Sequence, residues 1–234
     1  MELSQIRWKD FTQEALSASA IAEYFYCQAK LVMQRQIGDI ENGKMTEGKM
    51  LHEKKAQDNL SQFDLGRASA PELLADAIEH SKMELTKALE DRVPLENPKD
   101  GILFAAVVPN LRLWGKPDRA DCTNGEWPII IDYKFTEKLP TRPWPNDKVQ
   151  LGVYMLGIET LGFKPLYGFL EYNLRDKKDQ SKIFKVDLDE ELRKLVRSTA
   201  ESARRIIDGQ QEPMPDSPRK CQRCEYHECK WKLQ

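Results

Sequence analysis

The run Pro128-Ile129-Ile130-Ile131, closed by Asp132, constrains this chain more than any other stretch. Successive strand residues face opposite ways, so an unbroken apolar run describes a strand covered on both faces. Such a strand belongs inside a sheet with other layers packed on it. Asp132 then stands at the end of a buried strand, where an unpaired carboxylate is costly. Lys134 projects from the same face two residues on, and it or a metal ion can relieve that cost.

The segment from Gly115 to Lys134, GKPDRADCTNGEWPIIIDYK, reads as two strands and a tight turn. The register of the turn decides where Asp118 points, because a slip of one residue reverses every side chain. A two-residue Asn124-Gly125 loop would pair Pro117 with Asp132 and turn Asp118 away. A three-residue loop closed by Gly125 in the left-handed conformation pairs Cys122 with Glu126, Asp118 with Ile130 and Lys116 with Asp132. We expect the second register. It sets both carboxylates on one face, diagonally at roughly 7 Å, a gap that a shared divalent cation bridges.

Hard oxygen ligands suit Mg2+ or Mn2+, and a neighbouring lysine can orient a nucleophile or steady charge on a phosphate. Phosphodiester hydrolysis is the matching chemistry. In a chain with 32% charged residues the same pattern also describes an ordinary surface hairpin, so it needs company.

Length and charge narrow the partners. The 234 residues suffice for one large domain with a substantial core. With 36 basic against 38 acidic residues, the chain is no polycation, so nucleic-acid binding would rest on local groups such as Lys54, Lys55, Arg219, Lys220, Arg223, Lys230 and Lys232. It has no apolar run of about 18 residues and no secretory core in MELSQIRWKDF, so a cytoplasmic protein without membrane partners is expected. Five cysteines in a reducing compartment point to metal, redox chemistry or burial rather than a disulfide framework.

Taken in order, residues Ser17 to Met33 read as a helix capped by Ser17, with Cys27 on it or just after it. A second helix from about Thr46 carries Gly48 and His52 on one face, where Gly48 would permit close approach to another backbone and His52 would point into the same cleft. A third, amphipathic helix spans Pro71 to Arg92. Three strands on short turns follow, Ile102 to Val108, Leu111 to Cys122 and Trp127 to Lys134. A helix from Asp147 to Leu161, with Asp147 as cap, places Gln150 and Tyr154 on one face. Strands Leu166 to Asn173 and Lys182 to Leu188 precede a helix from Asp189 to Asp208. The chain mixes helices and strands, as an α/β fold does.

The polar tail holds Cys221, Cys224 and Cys229 in a C-x2-C-x4-C arrangement, a thiolate set for zinc or an iron-sulfur cluster that would anchor an otherwise coreless segment. Cys27, Cys122 and His227 are the candidates for a fourth ligand. His227 would favour zinc. Cys122 shares strand parity with Asp118, and Cys27 best closes a loop from one end of the chain to the other. Spacing does not choose between zinc and iron-sulfur.

Together these residues resemble the RecB-like branch of the PD-(D/E)XK nucleases. Gly48-x3-His52, Gly115-x2-Asp118-Arg119, Asp132-Tyr133-Lys134 and Gln150-x3-Tyr154 stand in that branch's order. One early and three terminal cysteines resemble its iron-sulfur members, the CRISPR-associated nuclease of Cas family four and the AddB-type nuclease domains, and the compact form is most like the former. The resemblance implies a restriction-endonuclease-like core, a central mixed sheet flanked by helices, with a helical N-terminal part and a C-terminal segment closed by a metal cluster. It implies one nuclease domain over 1–234, mainly helical in 1–100, with the catalytic sheet in 101–188 and the C-terminal helix and cysteine segment in 189–234.

The resemblance further implies a Mg2+ or Mn2+ site made by His52, Asp118, Asp132 and the backbone carbonyl of Tyr133. It implies a catalytic Lys134 with Gln150 and Tyr154 beside it, and a 4Fe-4S cluster held by Cys27, Cys221, Cys224 and Cys229, with zinc the lesser alternative. The implied activity is trimming of single-stranded or frayed DNA ends in CRISPR spacer acquisition, with DNA and the integrase proteins as partners. A stand-alone repair or viral nuclease, and a non-catalytic cluster-bearing DNA-binding adaptor, are the rival readings.

Overall fold

The computed structural model describes residues 14–38, 40, 46–48, 50–52, 54, 106–115, 117–121, 129–160, 164–176 and 180–233. The chain enters on a short strand, β1 (Leu16–Ser17), and Ser17 caps the helix that follows, α1 (Ala18–Tyr26), by accepting the Ala20 N–H at 3.0 Å. The single helix expected over 17–33 is two. Cys27 is extended (φ −169°, ψ 120°) and breaks α1 from α2 (Gln28–Ile37). Leu31, Val32 and Met33 are consecutive and all buried, which one face of a surface helix does not allow. The break lets α1 lie along one core helix and α2 turn against another.

Strand β2 (Ala106–Val108) leads through a turn of 3-10 helix (Pro109–Leu111) and Arg112, in the left-handed region at φ 48°, into β3 (Leu113–Gly115). These make a small sheet in the order β1-β3-β2. The chain then crosses to a second sheet, where β4 (Arg119–Asp121) begins. The one strand expected from Leu111 to Cys122 is therefore divided, at Pro117, which has no N–H to give to a ladder. Asp118 occupies the bend between the two sheets.

The second sheet is mixed, in the order β4-β5-β6-β7. β5 (Ile129–Thr136) runs antiparallel to β4 and parallel to β6 (Tyr167–Leu174), and β7 (Ser181–Asp187) is antiparallel to β6. Helix α3 (Pro145–Glu159) supplies the crossover between the parallel strands. Residues 151–158 of α3 are all buried, so this helix is enclosed rather than laid on the surface. On one side it meets α1, β2 and β3, on another α4 (Glu190–Ile207). Asp189 caps α4 by accepting the Leu192 N–H at 2.8 Å. The architecture is the mixed α/β sheet flanked by helices that the sequence implied.

The hairpin register differs from expectation in an instructive way. Arg119 pairs with Ile131, Ala120 with Ile130 and Asp121 with Ile129, and one step further sets Asp118 opposite Asp132. The expected pairing of Asp118 with Ile130 is wrong by two residues. Because the slip is even, both aspartates keep the same face, and they stand directly across from one another instead of diagonally. The turn itself, with Cys122, lies outside the described residues, as do the expected helix Pro71–Arg92 and Lys55. Among the described residues no helix is long and apolar enough to cross a membrane.

Gly157 marks the tightest helix-to-strand contact. A Cβ there would come within 2.7 Å of the backbone of Ala106. Gly157→Ala should lower stability by about 1–3 kcal/mol, read from the urea midpoint. An unchanged midpoint would contradict so close a packing of α3 on β2.

Candidate active site

β5 carries Asp132 and Lys134 on one face and brings them under α3. Asp132 is only 2% exposed, and its Oδ2 lies 2.9 Å from Lys134 Nζ. Lys134 donates to Gln150 Oε1 at 2.7 Å, and Gln150 Nε2 donates to Tyr154 Oη at 2.7 Å. The one-turn spacing of Gln150 and Tyr154 thus forms a polar chain along α3 that ends on the ammonium. The Tyr154 ring in turn requires Gly115, since a Cβ there would sit 2.6 Å from Tyr154 Cε1. For Gly48, a Cβ would meet nothing within 4 Å among the described residues.

Asp118 reaches the same place from the bend before β4. Its Oδ2 accepts the Tyr133 N–H at 2.7 Å and its Oδ1 lies 3.0 Å from His52 Nδ1. His52 comes from the helical residues 50–52 and packs edge-on against Phe135, ring centroids 5.0 Å apart. The charge of the Asp118 carboxyl also acts on Asp132. Three separate stretches of chain, around positions 52, 118 and 132, so converge with α3 on one site.

Burial separates the two carboxyls electrostatically. It raises Asp132, against the pull of Lys134 and with help from the Asp118 charge, to about 7. Burial would raise Asp118 too, but hydrogen bonds and charge from His52, with hydrogen bonds from Asp132 and the Tyr133 N–H, hold it below its ordinary range. Lys134 is desolvated, yet Asp132 and Asp147 together keep it raised. Burial pushes the Tyr154 phenol well up, so it remains a hydrogen-bond donor.

Asp147 was expected to cap α3. It lies instead inside the first turn and is 4% exposed. Tyr172 Oη donates to its Oδ2 at 2.7 Å, and its Oδ1 stands 3.8 Å from Lys134 Nζ. Sequence reasoning missed this residue and Tyr172. Position 147 is three before Gln150 and shares its helical face, which was the available signal for Asp147; Tyr172 had none.

Among the described residues no group of three or more His, Cys, Asp or Glu side chains is arranged to hold a metal ion. The local reason is plain: Asp118 is engaged by His52 and the Tyr133 N–H, and Asp132 by Lys134. The donors nevertheless fit a divalent cation in kind. Asp132 Oδ2 is buried with no aligned hydrogen bond, its contact with Lys134 being an ion pair, and two carboxylates with an imidazole offer a hard, anionic donor set.

Apart from these residues, Cys27, Cys221, Cys224 and Cys229 line one cavity of about 360 Å3, counting its open mouth, together with Tyr26, Lys30 and Lys220. Ser217 opens the short helix α5 (Pro218–Arg223), which carries Cys221, and Cys224 ends it. The tail is clamped to the α1–α2 break. Lys30 pairs with Glu23 at 3.1 Å and Glu225 at 3.0 Å, and Tyr226 Oη donates to the Gly38 carbonyl at 2.9 Å. Burial pushes the Cys224 thiol up. His227 is exposed and lies outside the cavity's lining.

The sequence matches the family model of the PD-(D/E)XK nuclease superfamily over residues 15–229. This chain belongs to that superfamily. Among solved structures, a putative exonuclease from Eubacterium rectale is similar at 14% identity and a TM-score of 0.53, covering 97% of this chain and 92% of that one. SSO0001 is similar at 15% identity and a TM-score of 0.47, covering 94% and 87%. The alkaline exonuclease LHK-Exo from Laribacter hongkongensis is similar at 13% identity and a TM-score of 0.41, covering 84% and 89%. The likeness of fold rests on the first of these. No curated protein matches the chain.

In this PD-(D/E)XK superfamily member Asp132, raised by burial, works against metal-free stability as pH rises. Folded Asp132 keeps its proton up to about pH 7, whereas an unfolded aspartate releases it near about pH 4. Deprotonation therefore favours unfolding between those values, and the loss stays constant above them. Asp132→Asn should be more stable than the parent at pH 8 without metal, by at most about 4 kcal/mol, and the gain should vanish near pH 4. Urea unfolding at the two pH values checks this, and a variant less stable at pH 8 would contradict it.

Proposed function

We propose that this protein hydrolyses DNA phosphodiester bonds using Mg2+ or Mn2+ held by His52, Asp118, Asp132 and the backbone carbonyl of Tyr133. The observation that carries the reading is the meeting of Asp118, Asp132 and Lys134 in one buried site, with Gln150 fixed on the lysine at 2.7 Å. A bound divalent cation would supply Lewis-acid stabilisation of the phosphate and a more acidic water. The chain's own groups do the rest. Gln150 and Tyr154 hold the Lys134 ammonium in one place, where it can donate to the attacking oxygen or to a phosphate oxygen as charge builds there. His52 braces Asp118 while being the more exposed of the pair, 35% against 23% at the side chain, and so faces the side from which substrate arrives.

The finer reading is end-trimming of single-stranded or frayed DNA in CRISPR spacer acquisition, alongside the integrase proteins, within one nuclease domain. Motif order and the early-plus-terminal cysteine set, which resemble the nuclease of Cas family four, support it. Beside it we propose a 4Fe-4S cluster on Cys27, Cys221, Cys224 and Cys229. The support is that Cys27, Cys221, Cys224 and Cys229 line one cavity and that thiolates are the usual ligands of such a cluster.

With Mn2+, end-labelled single-stranded DNA should be shortened stepwise, and Asp132→Ala or Lys134→Ala should reduce the rate by at least about 1,000-fold. Undiminished cleavage by Asp132→Ala would sink the assignment. A clean failure of the parent protein to cut any DNA would favour the adaptor reading. Anaerobic preparations should be brown, absorbing near about 400 nm, and Cys27→Ser should lose the colour. A colourless protein carrying stoichiometric zinc would overturn the cluster.

A further inference from the structure

Lys134 lies between two carboxylates, and the function just proposed uses only one of them. Asp132 comes from β5 with its Oδ2 at 2.9 Å; Asp147 comes from α3 with its Oδ1 at 3.8 Å. Asp147 is neither a cap nor a solvated charge. Asn146 Nδ2 donates to its Oδ1 at 2.8 Å and Tyr172 Oη to its Oδ2 at 2.7 Å. Tyr172 is fully buried, accepts the Trp144 N–H at 3.1 Å, and is held edge-on between Trp144 and Phe184. A braced path thus runs from the start of α3 through Tyr172 to Asp147 and on to the ammonium.

An Asp132 drawn onto a divalent cation no longer serves Lys134 as a full counterion. A buried ammonium left without one is strongly disfavoured. Asp147 is close enough to take the charge and too firmly held to follow the cation. We propose that Asp147 is a positioning residue that becomes the counterion of Lys134 when Asp132 engages the cation, so that the ammonium stays at the reacting phosphate with Gln150 as its second anchor. This rests on the reading of Lys134 as catalytic and Asp132 as a cation ligand.

Crystals grown with and without Mn2+ give a readout independent of turnover. With Mn2+ on Asp132, the distance from Lys134 Nζ to Asp147 Oδ1 should shorten from 3.8 Å to about 3 Å. An unchanged or longer distance overturns the proposal. In kinetics, Asp147→Asn keeps the shape and removes the charge. Its kcat should fall about 10- to 100-fold, with KM and the calorimetric Kd for Mn2+ without DNA unchanged within about twofold. In a Lys134→Ala background it should add no further loss.

Tyr172→Phe removes a single brace and should give the same split at about 3- to 10-fold, which keeps the idea testable if Asp147→Asn does not fold. Full kcat in both variants, loss of Mn2+ binding in parallel with kcat, or an equal loss without Lys134 overturns the proposal. A parent protein that cuts nothing, or a Lys134→Ala variant that cuts at full rate, removes the functional reading and this proposal with it. An active parent, an inactive Lys134→Ala and a fully active Asp147→Asn overturn this proposal alone.

Discussion

An ammonium buried under a helix has to be surrounded by oxygen, and the arrangement around Lys134 follows from that requirement. Asp132, Asp147 and Gln150 supply the oxygens from β5 and α3. For them to meet, β5 must run parallel to β6 so that the crossover helix lies over it, and α3 must enter the core so deeply that residues 151–158 are all buried. Of the polar residues on that helix, Asp147 and Gln150 face the lysine, and Tyr154 is bonded to Gln150. A site of this kind is a local exception to an apolar interior, sustained because each of its charges has a partner.

The aspartate dyad has the opposite character. Two carboxyls placed directly across from each other cannot both ionise cheaply in a buried setting. His52 and the Tyr133 N–H hold Asp118 in its charged form, while burial outweighs the pull of Lys134 on Asp132 and raises it to about 7. A site that destabilises its own metal-free form is poised for a cation, because binding removes the repulsion that folding tolerated.

Much of this was legible in the sequence where periodicity carries the information. The apolar run into Asp132 gave a buried strand, the spacing of Gln150 and Tyr154 gave a shared helical face, and Ser17 and Asp189 gave helix starts. The hairpin parity was legible too, and with it the common face of Asp118 and Asp132. The register was not, because turn residues restrict loop length without fixing it, and an even slip leaves the polarity pattern unchanged. Pro117 was the overlooked sign that the chain changes sheets before Asp118. The break at Cys27 and the role of Asp147 were hidden for one reason: tertiary partners, α4 in one case and Tyr172 with Lys134 in the other, override local helix grammar. Cys27 then sits beside a tail almost two hundred positions away along the chain, a proximity that no local pattern encodes.

The central claim is that the residues around positions 52, 118 and 132 grip one cation. Anomalous diffraction from crystals soaked in Mn2+ measures it directly. The account requires one strong peak shared by Asp118 and Asp132, with the His52 ring turned toward it and Lys134 alongside. A saturated crystal with no peak between the two aspartates, or with manganese bound only elsewhere, would contradict it.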